Sequence, residues 1–260
     1  MSRKLLISWC LMPLITLISS PVFAQNEQVS VSDYYLFFSR KQNFSSLSFL
    51  SYSSVSLFSE NQFLIKELCT ATVSGNYNHN GNTVAATISH FGYSKYGFIT
   101  FSSGYARTFA NRVSFGLQVH YLLHHAETYP QIHSFTFDLS LYGKISQKVG
   151  IGVSAYNPAN LKYGIIGNEQ IPMLYIVMLD YKISDKVLLA VAASKQLPGA
   201  FDIFGTICFQ DRFYGFMMDC SLKKIGLQFT FWWKKFQFDV GGSFDYRLGF
   251  SPNVGMIYLF

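Results

Sequence analysis

Residues 113–126 read VSFGLQVHYLLHHA. Val113, Phe115, Leu117, Val119, Tyr121 and Leu123 fall on one parity, and Ser114, Gly116, Gln118, His120, Leu122 and His124 on the other. A period of two sends alternate side chains to opposite faces of an extended chain, so one face is greasy and the other polar or small. The next segment repeats the pattern, with Phe135, Phe137, Leu139 and Leu141 against Ser134, Thr136, Asp138, Ser140, Tyr142 and Lys144. Near the C-terminus Phe236, Phe238, Val240, Phe244, Tyr246 and Leu248 oppose Gln237, Asp239, Gly241, Ser243, Asp245 and Arg247. A helix has no use for this spacing.

Extended outward, the same reading yields about 14 strands, from 45–58 at the start to 252–260 at the end. Asn111, Ser146-Gln147, Ser184-Asp185, Gln210-Asp211 and Lys234 fall in tight turns, whereas 59–67, 126–131, 157–170 and 195–199 form longer loops. The connection 221–223 is short where a long one is expected. An even number of antiparallel strands, with short turns at one end and longer loops at the other, predicts an all-β, up-and-down transmembrane barrel.

Composition places the apolar face in lipid. Half of the residues are hydrophobic, 18% are aromatic and only 13% are charged, a balance that a water-soluble domain cannot readily hide. After the first segment no apolar run approaches the ~20 residues of a spanning helix. A closed barrel is the other architecture that satisfies every backbone polar group in hydrocarbon. A soluble barrel would turn its Phe and Leu rows inward; here the opposite face holds enough charge to favour water.

The chain opens with Arg3 and Lys4 before an apolar run from Leu5 to Ile18, followed by Val22-Phe23-Ala24. That is the pattern of a signal peptide at 1–24, cleaved before Gln25, with a short N-terminal segment at 25–44 and the barrel at 45–260. Loss of Arg3 and Lys4 lowers the formal charge from +6 to +4, and the remaining charges form no basic stripe, so nucleic acid is not an expected partner. Cys69, Cys208 and Cys220 remain, without zinc-like spacing. Val254, Met256, Tyr258 and the terminal Phe260 share one face and read as a signal to the barrel assembly machinery. The expected location is the outer membrane, with outer-membrane lipid around the wall.

Several strings together carry a resemblance: ENQFLIKELCT at 60–70, SHFGYSKYG at 89–97, YARTFANRVSFGLQVHYL at 105–122, SAYNPANLK at 154–162, SDKVLLAV at 184–191 and FQFDVGGSFDYRLGFSPNVGMIYLF at 236–260. They resemble the PorV/PorQ-like barrels of Bacteroidota, relatives of the FadL-type outer-membrane transport proteins. The resemblance implies a 14-stranded barrel, and for its FadL-type relatives a long N-terminal plug with an Asn-Pro-Ala element. Only about 20 residues separate Ala24 from the first expected strand, and Asn157-Pro158-Ala159 lies between strands as loop chemistry. The expectation is therefore a plug that is missing or reduced.

The polar-face residues Arg107, Gln118, His120, His124, Asp138, Tyr142, Lys144, Asp180, Lys182, Asp219, Asp239, Asp245 and Arg247 are the candidates to line the lumen, either selecting what passes or pairing with one another. Trp232 and Trp233, with Tyr258, read as an interfacial aromatic belt. His120, His124, His125 and His133 are the densest metal-capable group, but no carboxylate stands at ligand spacing within the strand, so neither metal nor cofactor is expected. No histidine stands two residues from a serine, which would place both on one strand face, so no catalytic site is expected. The leading expectation is a non-enzymatic transport or channel barrel for small or hydrophobic molecules. A secretion-system docking component with a protein partner, and a lipid-modifying enzyme with partners from neighbouring strands, remain open.

Overall fold

The computed structural model describes residues 29–39, 42–127, 129–163 and 170–260; the expected signal peptide lies outside the described residues. Fourteen antiparallel strands follow one another around a closed ring. They are β1 Ser54–Asn61, β2 Cys69–His79, β3 Asn82–Tyr93, β4 Tyr96–Phe109, β5 Val113–Ala126, β6 Tyr129–Lys144, β7 Val149–Tyr156, β8 Met173–Lys182, β9 Val187–Leu197, β10 Phe201–Gln210, β11 Tyr214–Ser221, β12 Lys224–Trp233, β13 Phe236–Asp245 and β14 Gly249–Leu259. Each pairs with its neighbours in sequence, and β1 meets β14 in a register running from Ser54 opposite Leu259 to Glu60 opposite Asn253. The ladder therefore has no free edge, the condition a sheet must meet in hydrocarbon. No helix among the described residues is long and apolar enough to cross a membrane.

The two faces separate as the period of two demands. Along β8, Tyr175, Val177 and Leu179 are exposed while Ile176, Met178 and Asp180 are buried. Around the wall the outward residues are Val73, Ile88, Val119, Val153, Val191, Leu227 and Val240, with Tyr77, Tyr105, Phe109, Tyr214 and Trp233 towards one end and Tyr93, Phe201, Tyr246 and Phe250 towards the other. An apolar band between two aromatic girdles is the surface of a barrel standing in a bilayer. Val254, Met256, Tyr258 and Phe260 lie on this outer face, where Tyr258 packs against Phe236 and Phe260.

Both described ends of the wall lie at the end where the connections are two to four residues long, such as Asn80-Gly81, whose positive φ values suit a two-residue hairpin. Across these turns Lys186 Nζ donates to Asp211 Oδ1 at 2.6 Å and holds that carboxyl below the usual carboxylate range. At the opposite end only 62–68 and 157–172 are long. The expected loops at 126–131 and 195–199 shrink to 127–128 and 198–200, because β5, β6 and β9 run further than their apolar alternation does. In the long 157–172 loop, Asn157 is buried and its amide donates to the carbonyls of Leu161 and Ile171 at 3.1 and 2.7 Å.

The first strand is where expectation and structure part. The wall begins at Ser54; residues 44–49 form a 3-10 helix, preceded by a helix α1 at Val31–Ser39. Both sit inside the barrel in the half nearest the described ends of the wall, since α1 packs on β9 and β10 and the 3-10 helix on β3 to β6. The plug is present, built from about 25 residues instead of a long domain. Its Val31, Tyr34, Leu36, Phe37, Phe44 and Leu47 are buried against Met178, Leu188, Ala190, Cys208, Met217 and Trp232 of the wall. The inner face is therefore polar only in part: this half of the lumen is a dry core.

Trp232 and Trp233 separate accordingly. Trp233 is exposed on the outer face, whereas Trp232 is buried against the plug, its ring 5.3 Å from that of Tyr34, so only Trp233 belongs to the girdle. In bilayers with brominated acyl chains, the mature Trp232→Phe barrel, which retains Trp233, should lose most of its tryptophan fluorescence, while Trp233→Phe, which retains Trp232, should be quenched little. Equal quenching of both would contradict this orientation.

Candidate functional site

The plug docks because the wall makes room for it. Gly104 of β4 and Gly116 of β5 face the 3-10 helix, and a Cβ at Gly104 would stand 2.6 Å from the Phe44 ring. At Gly116 it would stand 2.7 Å from Ser140 Oγ and 3.0 Å from Ser45 Cα. Gly152 of β7 leaves the same room for the amide of Asn43. Side chains of even one carbon are excluded at these positions, which is why small residues recur on the inner face here.

Polar contacts then fix the plug in register. Asn43, fully buried, donates from Nδ2 to the carbonyls of Leu141 and Val153 at 3.0 and 3.2 Å. Ser45 N donates to Ser140 Oγ at 2.9 Å, and Ser48 Oγ sits between Thr108 Oγ1 and Ser114 Oγ at 2.6 and 2.5 Å. Lys144 Nζ lies 4.4 Å from the centre of the Phe49 ring, a cation over an aromatic face. On the other side Tyr34 Oη meets Thr230 Oγ1 at 2.9 Å, Thr230 donates to Asp239 at 2.6 Å, and Gln237 joins Asp239 to the Trp232 indole. Buried polar groups bonded in this way stabilise a single arrangement, because each loses its partner if the plug shifts.

Beyond the plug, towards the long-loop end, two cavities occupy the lumen. One of about 260 Å3 is lined by Tyr35, Phe38, Glu60, Asp219, Lys224 and Asp239, among others. The second, of about 390 Å3, is lined by Phe44, Ser102, Gln118, His120, Asp138 and Tyr156, with further hydroxyls from β2 and β3. Gln42 and Thr72 line both, so the two adjoin above the plug. Such volumes suit a small organic molecule with polar groups.

Of the residues proposed from the sequence for the lumen, Gln118, His120, His124, Asp138, Tyr142, Lys144, Asp180, Asp219 and Asp239 are on the inner face. Tyr142 Oη donates to Asp180 Oδ1 at 2.8 Å beside the plug. Lys182 reaches the rim and pairs with Asp185 of the adjoining turn at 2.8 Å. Three lie elsewhere. Arg107 is exposed on the outside, its guanidinium 5.4 Å from the centre of the Phe109 ring, because Gly104, Ala106 and Thr108 occupy the inward positions of β4. At the edge of the bilayer a long arginine keeps its stem on apolar neighbours and its charge in the headgroups. Asp245 closes the turn after β13, accepting from the N–H groups of Arg247 and Leu248 at 2.8 and 3.0 Å, and Arg247 lies exposed in that turn.

The four histidines do not converge. His120 and His124 point inward, where His124 stacks on Phe98 at 4.1 Å, while His133 is outside with Tyr121 Oη 2.5 Å from its Nδ1. No group of three or more His, Cys, Asp or Glu side chains placed to hold a metal ion occurs among the described residues. What the strand-by-strand reading missed is an alignment across strands. Ser102 of β4 stands opposite His120 of β5, and its Oγ lies 2.8 Å from His120 Nδ1; Asp138 Oδ2 of β6 lies 3.0 Å from His120 Nε2. Spacing within one strand carries no trace of this, since it depends on the registers of three.

No protein-family model and no curated protein matches the sequence. Solved barrels do match in shape. The toluene transporter TodX of Pseudomonas putida superposes with a TM-score of 0.60 at 8% identity, covering 85% of this chain and 91% of that one. The CymD monoaromatic hydrocarbon channel gives 0.54 at 8% identity over the same shares. This chain shares the closed β-barrel fold of these channels. Sequences so different retain the wall because only inward and outward alternation and strand register define it.

Substitution of the glycine niche tests the docking. Gly116→Val should force the 3-10 helix off the wall, lowering stability by about 1–3 kcal/mol in chemical unfolding from detergent micelles. Protease cleavage between residues 31 and 50 should rise, with the wall intact.

Proposed function

We propose that this barrel is a plugged channel that admits small molecules across the outer membrane. The observation that supports this reading most directly is the N-terminal segment seated in one half of the lumen, with two cavities adjoining on its far side. A wall that served only to anchor the chain would have no need of cavities lined by Glu60, Asp219, Lys224, His120 and Asp138. Both cavities also carry apolar surface, from Phe38 and Met217 in one and Leu122 and Ile176 in the other. Molecules with an apolar body and a polar end match that lining better than bare hydrocarbons do. The resemblance to FadL-type transport proteins and the likeness in shape to TodX, described as a toluene transporter, point the same way.

In this reading the leader at 1–24 exports the chain, and Val254, Met256, Tyr258 and Phe260 present the outward stripe that the assembly machinery binds. Short turns and both ends of the wall then face the periplasm, as is usual for such barrels. The plug lies on the periplasmic side, and solutes enter the cavities from outside. A PorV-like docking role is the second reading. It is favoured by the bracing of the described ends of the 157–172 connection, where Asn157 bonds to Leu161 and Ile171 and holds a place for a protein partner to meet.

The channel reading is tested by reconstitution. The mature protein in planar bilayers should be nearly closed, and deletion of residues 29–50 should open it, raising conductance at least tenfold. Liposome swelling should show the same order for small neutral solutes. Equal conductance with and without the plug would count against the reading.

A further inference from the structure

We propose that Ser102, His120 and Asp138 form a hydrolytic site for small carboxylic esters inside the barrel. This goes beyond the passage of solutes and rests on different residues from the plug. Nucleophilic catalysis by serine needs a base within hydrogen-bond reach and a third group that orients the base. Here Ser102 Oγ lies 2.8 Å from His120 Nδ1, and His120 Nε2 lies 3.0 Å from Asp138 Oδ2. The tautomer with the proton on Nε2 satisfies both contacts: Ser102 donates to Nδ1, and Nε2 donates to the carboxylate. The ring nitrogens exchange the places most such sites give them, but proton transfer needs only that one accepts from serine while the other is held.

The surroundings match this use. All three side chains line the cavity of about 390 Å3, so a substrate there meets the serine directly. His120 is 8% exposed and its ring edge meets Tyr156 at 5.2 Å, which fixes the imidazole plane. The His120 and Asp138 side chains are only 10% and 16% exposed, and so shielded a carboxylate stabilises a developing imidazolium more than it would in open water. Two polar atoms beside the pair are buried without a partner, Asp138 Oδ1 and Thr136 Oγ1, with Thr136 directly opposite His120. Because the wall's backbone N–H groups are engaged in the ladder, a side chain must bind the oxyanion. Gln118 lines the same cavity two residues from His120 and supplies an amide donor.

In the first step Ser102 Oγ bonds to the acyl carbon as its proton passes to His120 Nδ1. The ester C–O bond then breaks, and the leaving alkoxide takes that proton and departs as the alcohol. Water adds to the acyl carbon, giving its proton to His120. The acyl–Oγ bond breaks, the proton returns to Ser102, and a carboxylic acid is released. The cavity volume limits substrates to short acyl chains.

The test uses the folded mature barrel in detergent micelles. A fluorophosphonate probe should add to the wild-type protein once, at Ser102 by peptide mapping, and p-nitrophenyl acetate or butyrate should be turned over. Ser102→Ala should abolish the adduct, and Ser102→Ala and His120→Ala should each lower kcat/KM by about 10³-fold or more, with the heat-dependent gel shift of the folded barrel unchanged. Gln118→Ala should lower kcat by about 10²-fold and leave KM nearly unaltered. Absence of an adduct on Ser102 in the folded wild-type protein, which needs no variant, overturns the proposal. So does hydrolysis that survives Ser102→Ala. Neither result touches the conductance assay, so the channel reading stands or falls separately.

Discussion

Closure of the ladder between β1 and β14 is the constraint on which the rest of the molecule depends. In hydrocarbon an unpaired strand edge would leave a row of buried N–H and C=O groups without water, each costing several kcal/mol. Seven residue pairs from Ser54–Leu259 to Glu60–Asn253 remove that edge. Once the ring is closed, every inward side chain shares one enclosed space, and the contents of that space decide both packing and function.

The molecule resolves the space in two ways. Near the ends of the wall at Ser54 and Leu259 it is filled: the segment 31–49 buries Tyr34, Leu36, Phe37, Phe44 and Leu47 against an inner wall thinned by glycine. Each such side chain contributes about 1.5–3 kcal/mol through burial, and hydrogen bonds from Asn43, Ser45 and Tyr34 fix its position. Towards the long loops the space is left as cavities, and there the charged and hydroxyl-bearing residues gather. A rigid floor beneath a polar chamber is an arrangement suited to holding a small molecule in contact with chosen side chains.

Misplaced residues follow from the same division. The serine-rich stretch from Phe44 to Ser53 has enough alternation to read as the start of a strand. Its serines instead bond back along their own chain, Ser46 Oγ to the carbonyl of Asn43 and Ser48 Oγ to that of Ser45, and this local bonding suits a tight helical turn. Arg107 reads as a lumen residue because charge usually avoids lipid. The need to admit Phe44 reserves the inward positions of β4 for Gly104, Ala106 and Thr108, and so sends Arg107 out towards the headgroups.

By itself the amino-acid sequence determined the wall: the architecture, a strand number of about 14, and which face of Val113–Ala126 or Phe236–Asp245 is apolar. These follow from a period of two, which acts residue by residue and needs no knowledge of distant partners. Only the tertiary structure decided what the wall encloses. The seat of the plug, the burial of Trp232 beside an exposed Trp233, and the alignment of Ser102 with His120 and Asp138 depend on registers between strands and on the fit of one segment into the lumen. Such contacts join residues far apart in the chain, and local periodicity carries no information about them.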